Sequence, residues 1–206
     1  MQILETESIS IAGSSERPNI GASIANIGCP GFSAAFLNYL RSICDADHFA
    51  LYYIDDAEMR DVAAGGVRLD GVAETQAKTY ANGGFWRYDP GLDSLWEREA
   101  DGRPVIVHMD IDEICHDELR ERIYRPFCVR ERVVLSARRA GSAVSISLIR
   151  TQKSGPFSAD GLMRLNNVVE AVMSMAIRHT DMIRCSAQTR LGLTSLPVIE
   201  ARLSSA

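Results

Sequence analysis

The stretch 132-RVVLSARRAGSAVSISLIR-150 decides the fold of this chain. It contains two runs rich in branched apolar residues, 132–138 and 142–150, joined by Arg139-Ala140-Gly141. Short connections that contain glycine are typical of β-hairpins. The second run alternates apolar residues with serines at the two-residue period of a strand, with Val144, Ile146 and Leu148 on the apolar side. The stretch therefore predicts an antiparallel hairpin.

The segments on either side of the hairpin supply further strands and several helices. HFALYYID (48–55) has two mostly apolar faces, which predicts a central strand covered on both sides. A weaker strand pattern occurs near 62–69, where Gly65-Gly66 interrupts the run, and RPVIVHMD (103–110) is predicted to be a further strand. Apolar spacings of three and four predict helices at about 20–27, 31–44, 72–82, 92–99, 111–127 (with Asp112 as N-cap) and 158–185 (with Ser158 as N-cap). This order predicts the α+β class: an α-β-α sandwich with a mainly antiparallel central sheet flanked by helices.

Length and composition indicate one domain of ordinary globular character. The chain has 206 residues, of which 46% are hydrophobic and 24% charged. We expect a flexible N-terminus at 1–18, a domain at 19–187 and a linker-like tail at 188–206. The net charge of −5 is unlike that of a nucleic-acid-binding domain. Five cysteines without a CxxC pair indicate a reduced, cytoplasmic protein, and no apolar run is long enough to predict a membrane span.

The sequence lacks the common short motifs of enzymes and of nucleotide or metal sites. It contains no GxGxxG between a strand and a helix and no GxxxxGK[ST], HExxH or GxSxG. Cys115 and His116 are adjacent on a predicted helix, so one metal ion would not readily take both. We expect no catalytic residues, no metal and no cofactor. The arginines of 120–139 alternate with glutamates, a pattern typical of a solvated, salt-bridged face.

The aromatic segment, TYANGGFWRYDPGLDSL (79–95), is the best candidate for a binding site. It concentrates aromatic rings between Gly83-Gly84 and Pro90, two features that shape the backbone. Such a segment can fold over a pocket and offer it flat apolar faces and one carboxylate. The alternative is that the same rings cover the hydrophobic core.

The final predicted helix carries two apolar stripes. One can pack on the sheet, whereas the other, formed by Val168, Met175 and Met182, repeats every seven residues and needs a second partner. That partner is either a second core surface or another copy of the chain. The second possibility predicts a homodimer.

Tyr80, followed nine residues later by Asp89-Pro90, resembles the ligand-binding signature of LuxR-type transcription regulators. In that family a Tyr on a helix and the Asp of a downstream Asp-Pro line the acyl-homoserine-lactone pocket. The layout from 20 to 185 is similar to the family's sensor domain, which is related to GAF and PAS domains, and the tail from 191 is similar to the connector before the helix-turn-helix. The position of the family's pocket tryptophan corresponds to Gln76, which carries an amide donor. The chain is therefore more similar to the broader group of such regulators whose sensor domain has an unassigned ligand.

This resemblance implies a non-enzymatic ligand-sensing and dimerisation domain that acts on DNA only through a C-terminal domain absent from this chain. Its ligand would be a small, partly apolar molecule. The predicted ligand-binding residues are Tyr52, Gln76, Tyr80, Trp86, Tyr88 and Asp89. Two alternatives remain: a ligand-free interaction module of the same fold, and a GAF-like redox sensor that uses a thiol such as Cys115 or Cys128.

Overall fold

The structure, a computed structural model, describes residues 19–55, 58–68, 70–96 and 99–194. The predictions for 1–18 and 195–206 lie outside the described residues. The α-helices are α1 (Ile20–Ala25), α2 (Phe32–Cys44), α3 (Val72–Asn82), α4 (Pro90–Trp96), α5 (Asp117–Leu119) and α6 (Ala159–Thr194). The strands are β1 (His48–Asp55), β2 (Met59–Gly66), β3 (Pro104–Asp110), β4 (Val129–Arg139) and β5 (Ser142–Thr151). Short 3₁₀ turns occupy Phe85–Tyr88 and Ile111–Glu113, and a π-helical turn occupies Arg120–Tyr124.

Within the described residues, five strands form one sheet in the order β2-β1-β5-β4-β3, and each neighbouring pair is antiparallel. Helices cover both faces, so the predicted α+β class and the mainly antiparallel sheet are confirmed. The hairpin is present, although its loop is one residue shorter than expected. Because Arg139 pairs with Ser142, only Ala140 and Gly141 remain in the turn, where Gly141 has a φ of 70°.

The two faces of the sheet pack against different helices. The α6 face is covered by α2 and α6 and consists of Phe49, Leu51, Tyr53, Val133, Leu135, Ala137, Val144, Ile146 and Leu148. The α3 face lies beneath α3, α4 and the turns around them. It presents Ala50, Tyr52, Ile54, Arg132, Val134, Ser136, Ser145, Ser147 and Ile149. As predicted, β1 is an interior strand buried on both sides.

The predicted continuous helix over 111–127 was wrong, because local caps divide it into short turns. The Asp110 carboxylate accepts the N–H of Asp112 at 2.9 Å, so Asp110, rather than Asp112, caps the first turn. The chain then extends through Ile114, and His116 starts a new turn when its Nδ1 accepts the N–H of Leu119 at 3.1 Å. Side-chain acceptors of this kind compete with helix propagation.

Three other boundaries differ from the sequence prediction. The second strand is Met59–Gly66 rather than 62–69, and the glycine pair ends the strand beside His48 and Phe49, where a Cβ would lie only 3.0 Å from either ring. Helix α4 begins at Pro90, since proline suits the first helical position. Helix α6 continues to Thr194, beyond its predicted end at 185 and into the segment predicted to be a linker, whose role as a linker stays a prediction. The predicted cap of α6 is present, with Ser158 Oγ accepting the N–H of Gly161 at 3.0 Å.

Candidate functional site

Helix α3 directs two of the predicted site residues toward the sheet. Gln76 and Tyr80 are four residues apart, so they lie on one helix face, and both are buried. The Gln76 amide donates to the carbonyl of Ile123 at 3.1 Å. The Tyr80 ring packs beside Tyr52 of β1, with ring centroids 5.3 Å apart. The structure therefore brings Tyr52, Gln76 and Tyr80 together under α3.

The chain reversal after α3 brings Asp89 under the same helix. Gly84 has a φ of 70°, a conformation that glycine adopts without strain, and the 3₁₀ turn Phe85–Tyr88 follows it. Asp89 then caps α4, because its Oδ1 accepts the N–H of Gly91 at 2.8 Å. A Cβ at Gly91 would lie 2.7 Å from the Met109 side chain. A glycine at this position therefore allows the cap to pack closely against the sheet.

The other carboxylate oxygen of Asp89 is the centre of a buried hydrogen-bond network. Asp89 Oδ2 accepts from the hydroxyl of Tyr80 and from Nη1 of Arg132, and it also accepts from the hydroxyl of Tyr124 at 3.4 Å. Arg132 donates through Nη1 to the Tyr124 oxygen at 2.5 Å and through Nε to Ser147 Oγ at 2.8 Å. These five residues form the Asp89 cluster: Tyr80, Asp89, Tyr124, Arg132 and Ser147. Asp89 is fully buried, and Arg132 is 2% exposed.

Tyr124 reaches the cluster from a π-helical turn. The N–H of Arg125 donates to the carbonyl of Arg120 at 2.9 Å, five residues back, which widens the helix at Ile123 and Tyr124. Single π-turns are often found at functional sites. Here the turn presents the Tyr124 hydroxyl to Asp89 and the Ile123 carbonyl to Gln76.

Burial and the ion pair determine the charge states in this cluster. Burial raises the pKa of Tyr80, Tyr124 and Tyr52, and the Asp89 carboxylate raises them further, so all three phenols are neutral at physiological pH. Burial opposes the charge on Arg132, but the Asp89 carboxylate holds its pKa well above its usual value. The cluster thus contains a buried guanidinium that the Asp89 carboxylate stabilises.

A cavity of about 10 Å³ lies between α3 and the sheet, which is room for about one water molecule. Its lining contains Tyr52, Gln76 and Tyr80, together with His48, Phe49, Ala50, Ala73, Ile123, Tyr124, Arg132, Ser147 and Ile149. The chain's own side chains occupy the rest of the space between helix and sheet. A larger ligand could enter only if those side chains moved apart.

Three predicted ligand-binding residues do not line this cavity: Asp89, Trp86 and Tyr88. Asp89 still contacts the lining residues Tyr80 and Arg132, whereas the other two lie farther away. Trp86 is buried in the hydrophobic cluster on the α3 face, but it does not line the cavity, and Arg87 lies over its ring. Tyr88 is 58% exposed and stacks on His116, with ring centroids 4.7 Å apart. Both therefore contribute to the packing and surface of the aromatic segment rather than to the cavity wall.

Sequence reasoning missed the most important member of the site, Arg132. The arginines at 120, 122 and 125 do form the expected surface ion pairs with Asp117, Glu118 and Glu121. Arg132 is instead buried, on the α3 face of the sheet. The alternation of β4 carried a usable signal, because Arg132 falls on the face opposite Val133 and Leu135. The serines at 145 and 147 share that face.

The stripe that predicted a dimer is mostly used within the chain. Met175 is buried in the core, and Val168 is partly buried against it. Met182 is 37% exposed and contacts the backbone of Gly28, where an added Cβ would lie 2.6 Å from its Cε. This stripe thus has a core surface as its partner, which was the alternative explanation. Homodimer formation stays a prediction without that support.

None of the described helices has the length and apolar content needed to cross a membrane. In the part of the chain that the structure describes, no group of three or more histidine, cysteine or acidic side chains is arranged to hold a metal ion. Cys115 and Cys128 are exposed free thiols, and neither lines the cavity.

No protein-family model matches the chain, and no curated protein matches it. Several solved structures, however, match its fold. The VqsR LBD domain of Pseudomonas aeruginosa superimposes with a TM-score of 0.59 at 12% identity, covering 79% of this chain and 94% of that one. The N-acylhomoserine lactone dependent LuxR family transcription factor CepR2 of Burkholderia cenocepacia gives a TM-score of 0.51 at 17% identity, covering 76% and 87%. At these identities the likeness shows the fold alone, an α+β fold that resembles LuxR-family ligand-binding domains.

Proposed function

We propose that this chain is the ligand-sensing domain of a LuxR-type transcription regulator, acting in quorum sensing or a related response. It is non-enzymatic, cytoplasmic and dimeric, and it controls an attached helix-turn-helix domain. The observation that carries the proposal is the Asp89 cluster, a buried polar site between α3 and the sheet in a GAF-like fold. Pockets of a few convergent polar groups in apolar surroundings are typical of small-molecule sites.

The mechanism follows from the position of the cluster. A ligand that enters between α3 and the sheet must displace the side chains that now fill this space. Asp89 caps α4 and also binds Arg132 of β4, so a change at the carboxylate affects the helix and the sheet together. Helix α6 packs on the opposite face of the same strands and continues to Thr194, toward the position of the attached domain. A ligand shifts such an equilibrium only through its different affinities for the two states.

The first experiment is a thermal-shift screen of the purified chain against small molecules that include acyl-homoserine lactones. A true ligand at 100 times its Kd stabilises the domain by about 2.7 kcal/mol. Hydrogen exchange with and without that ligand should show slower exchange in α3, α4 and α6. A ligand that protects only the surface of α1 and α2 would contradict the proposed site.

The regulatory role needs a separate measurement in the organism that encodes the chain. The protein, tagged at its chromosomal locus, should be enriched at discrete DNA sites after chromatin immunoprecipitation. A protein that shows no DNA association under any growth condition would contradict the regulator assignment. Ligand binding could still be correct in that case.

A second function, a ligand-free interaction module, is favoured by one specific observation. The cavity is only about 10 Å³, and Arg132 already satisfies the carboxylate that would receive a ligand. In that case, Arg132 serves as a permanent internal substitute for a ligand. A chain that no compound in the screen stabilises, but that still associates with DNA, would establish this alternative.

A further inference from the structure

Two nitrogen atoms of residues that line the cavity lack a hydrogen-bond partner among the described residues. His48 Nδ1 is buried and has none. Arg132 uses its Nε and Nη1 within the Asp89 cluster, but no hydrogen bond joins its Nη2 to a described residue. Buried polar groups are nearly always satisfied, so the unpaired His48 Nδ1 indicates an absent partner at the cavity. Arg132 Nη2 adds a second donor group to the same lining.

The register of the sheet explains why both side chains reach one cavity. His48 of β1 pairs with Ile149 of β5, and Arg132 of β4 pairs with Ile149 from the other side. Residues directly opposite each other in an antiparallel pair share a face. His48 and Arg132 therefore flank Ile149 on the α3 face, with about 10 Å between their backbones. A group lying over Ile149 lies between the two side chains.

His48 also lines a groove on the outer surface, which has a volume of about 420 Å³, the size of a small-molecule site. The groove has an apolar part formed by Val67, Val72, Pro126 and Phe127, and two exposed cations, Arg68 and Lys153. The Asp47 carboxylate in its wall already accepts from the backbone N–H of Thr151 at 2.8 Å and from nearby hydroxyl groups. The half-buried His48 thus stands between the groove and the inner cavity.

We propose that groove and cavity form one site for a small carboxylic acid, with its apolar part on Phe127 and its carboxylate bridging His48 and Arg132. This inference rests on the proposed sensor function and specifies the class of its ligand. Arg132 Nη2 can only donate, and His48 Nδ1 donates when it carries a proton. The complementary group has two acceptor oxygens, as a carboxylate does. His48 acts as the gate through which the carboxylate passes.

Charge balance makes binding depend on pH. Asp89 already neutralises Arg132, so an entering carboxylate is balanced only when His48 takes up a proton. Burial lowers the pKa of His48 in the free protein, an effect that Arg68 reinforces and that Asp47, Asp70 and Glu74 oppose. The bound carboxylate raises this pKa, since opposite charges favour the ionised form. Between the two pKa values the affinity falls as the pH rises, by up to about tenfold per pH unit.

The test is isothermal titration calorimetry with acetate, phenylacetate and octanoate, each beside its neutral amide, at pH 6, 7 and 8. At least one carboxylate should bind more than about tenfold tighter than its amide at pH 6. Its affinity should weaken toward pH 8, and binding should take up close to one proton. His48→Gln should remove the pH dependence. His116→Gln is the matched control, because His116 lines neither the cavity nor the groove.

If His48→Gln fails to fold, NMR titration of the His48 ring in the unaltered chain gives the same answer, because its pKa must rise when the carboxylate is added. Equal binding of acid and amide, or a pH dependence that His48→Gln retains, overturns the inference. Failure of all three acids also overturns it. If neutral compounds stabilise the chain in the wider screen, the sensor function stands and only the carboxylate assignment fails.

Discussion

The two faces of the sheet are built from the same strands, yet they differ in chemistry. On the α6 face β4 and β5 present Val133, Leu135, Ile146 and Leu148 to a mostly apolar core, and the buried polar residues Glu131 and His179 lie at its edges. One residue along, the same strands present an arginine and three serines to α3. Both faces are buried, so solvent exposure does not explain the polar residues. A buried face that keeps polar groups at a cost in stability is where a function is expected.

The largest expected effect comes from breaking the ion pair of the α3 face. Asp89→Asn leaves the Arg132 guanidinium buried without its counter-charge and should lower the free energy of unfolding by about 3–5 kcal/mol. Urea denaturation measures this loss. The double variant Asp89→Asn with Arg132→Met should lose less than the sum of the two single losses, because it removes both charges. Strictly additive losses would show that the two residues act independently.

The α6 face should respond through packing alone. Leu148 is fully buried there, and Leu148→Ala should lower the free energy of unfolding by about 2–5 kcal/mol through lost contacts and a cavity. Met163 on α6 is 58% exposed, so Met163→Ala is a suitable control that should change stability by less than about 0.5 kcal/mol. Similar losses in the two variants would mean that α6 packs differently from the arrangement described here.

A smaller effect is expected from the serine pair of the α3 face. Ser136 Oγ donates to Ser145 Oγ at 2.9 Å, and both are buried. Ser145→Ala leaves the Ser136 hydroxyl unsatisfied and should lower the free energy of unfolding by about 1–3 kcal/mol. Replacing both serines by alanine should recover most of that loss, because no unpaired hydroxyl remains. A double variant less stable than either single one would contradict this pairing.

The smallest effect is a pH dependence from His179, where α6 meets α2. Burial lowers the pKa of His179, which accepts the N–H of Gly28 through Nδ1 at 3.0 Å and stacks on Phe32. In the unfolded chain this histidine takes up a proton below about pH 6.5, whereas in the folded chain it does so only at a lower pH. As the pH falls from about 6.5 to the pKa of the folded state, the free energy of unfolding therefore decreases by at most about 1.4 kcal/mol per pH unit; above about pH 6.5 His179 does not reduce it. His179→Gln should flatten this slope, whereas a slope unchanged by His179→Gln would assign it to other groups.

Sequence patterns predicted the architecture better than the site. The alternation in β5 and the apolar faces of β1 gave the antiparallel sheet, because a strand buried on one or both faces leaves a local signature. The prediction of one helix over 111–127 failed because the side chains of Asp110 and His116 cap separate short turns. Helical spacing of apolar residues does not reveal that side chains compete for the backbone N–H groups. The aromatic segment was correctly located, but it could not show which rings point inward. Tyr88, for example, is on the surface.

The sequence by itself determined the fold class, the hairpin and the Tyr80–Asp89 spacing that resembles a ligand-binding signature. These are local properties, since neighbouring residues set backbone preference and the period of burial. Only the tertiary structure decided that Arg132, 43 positions after Asp89, is its ionic partner, and that His48 and Arg132 lie on either side of Ile149. Those relations depend on the order and register of strands far apart in the chain, which no local pattern encodes.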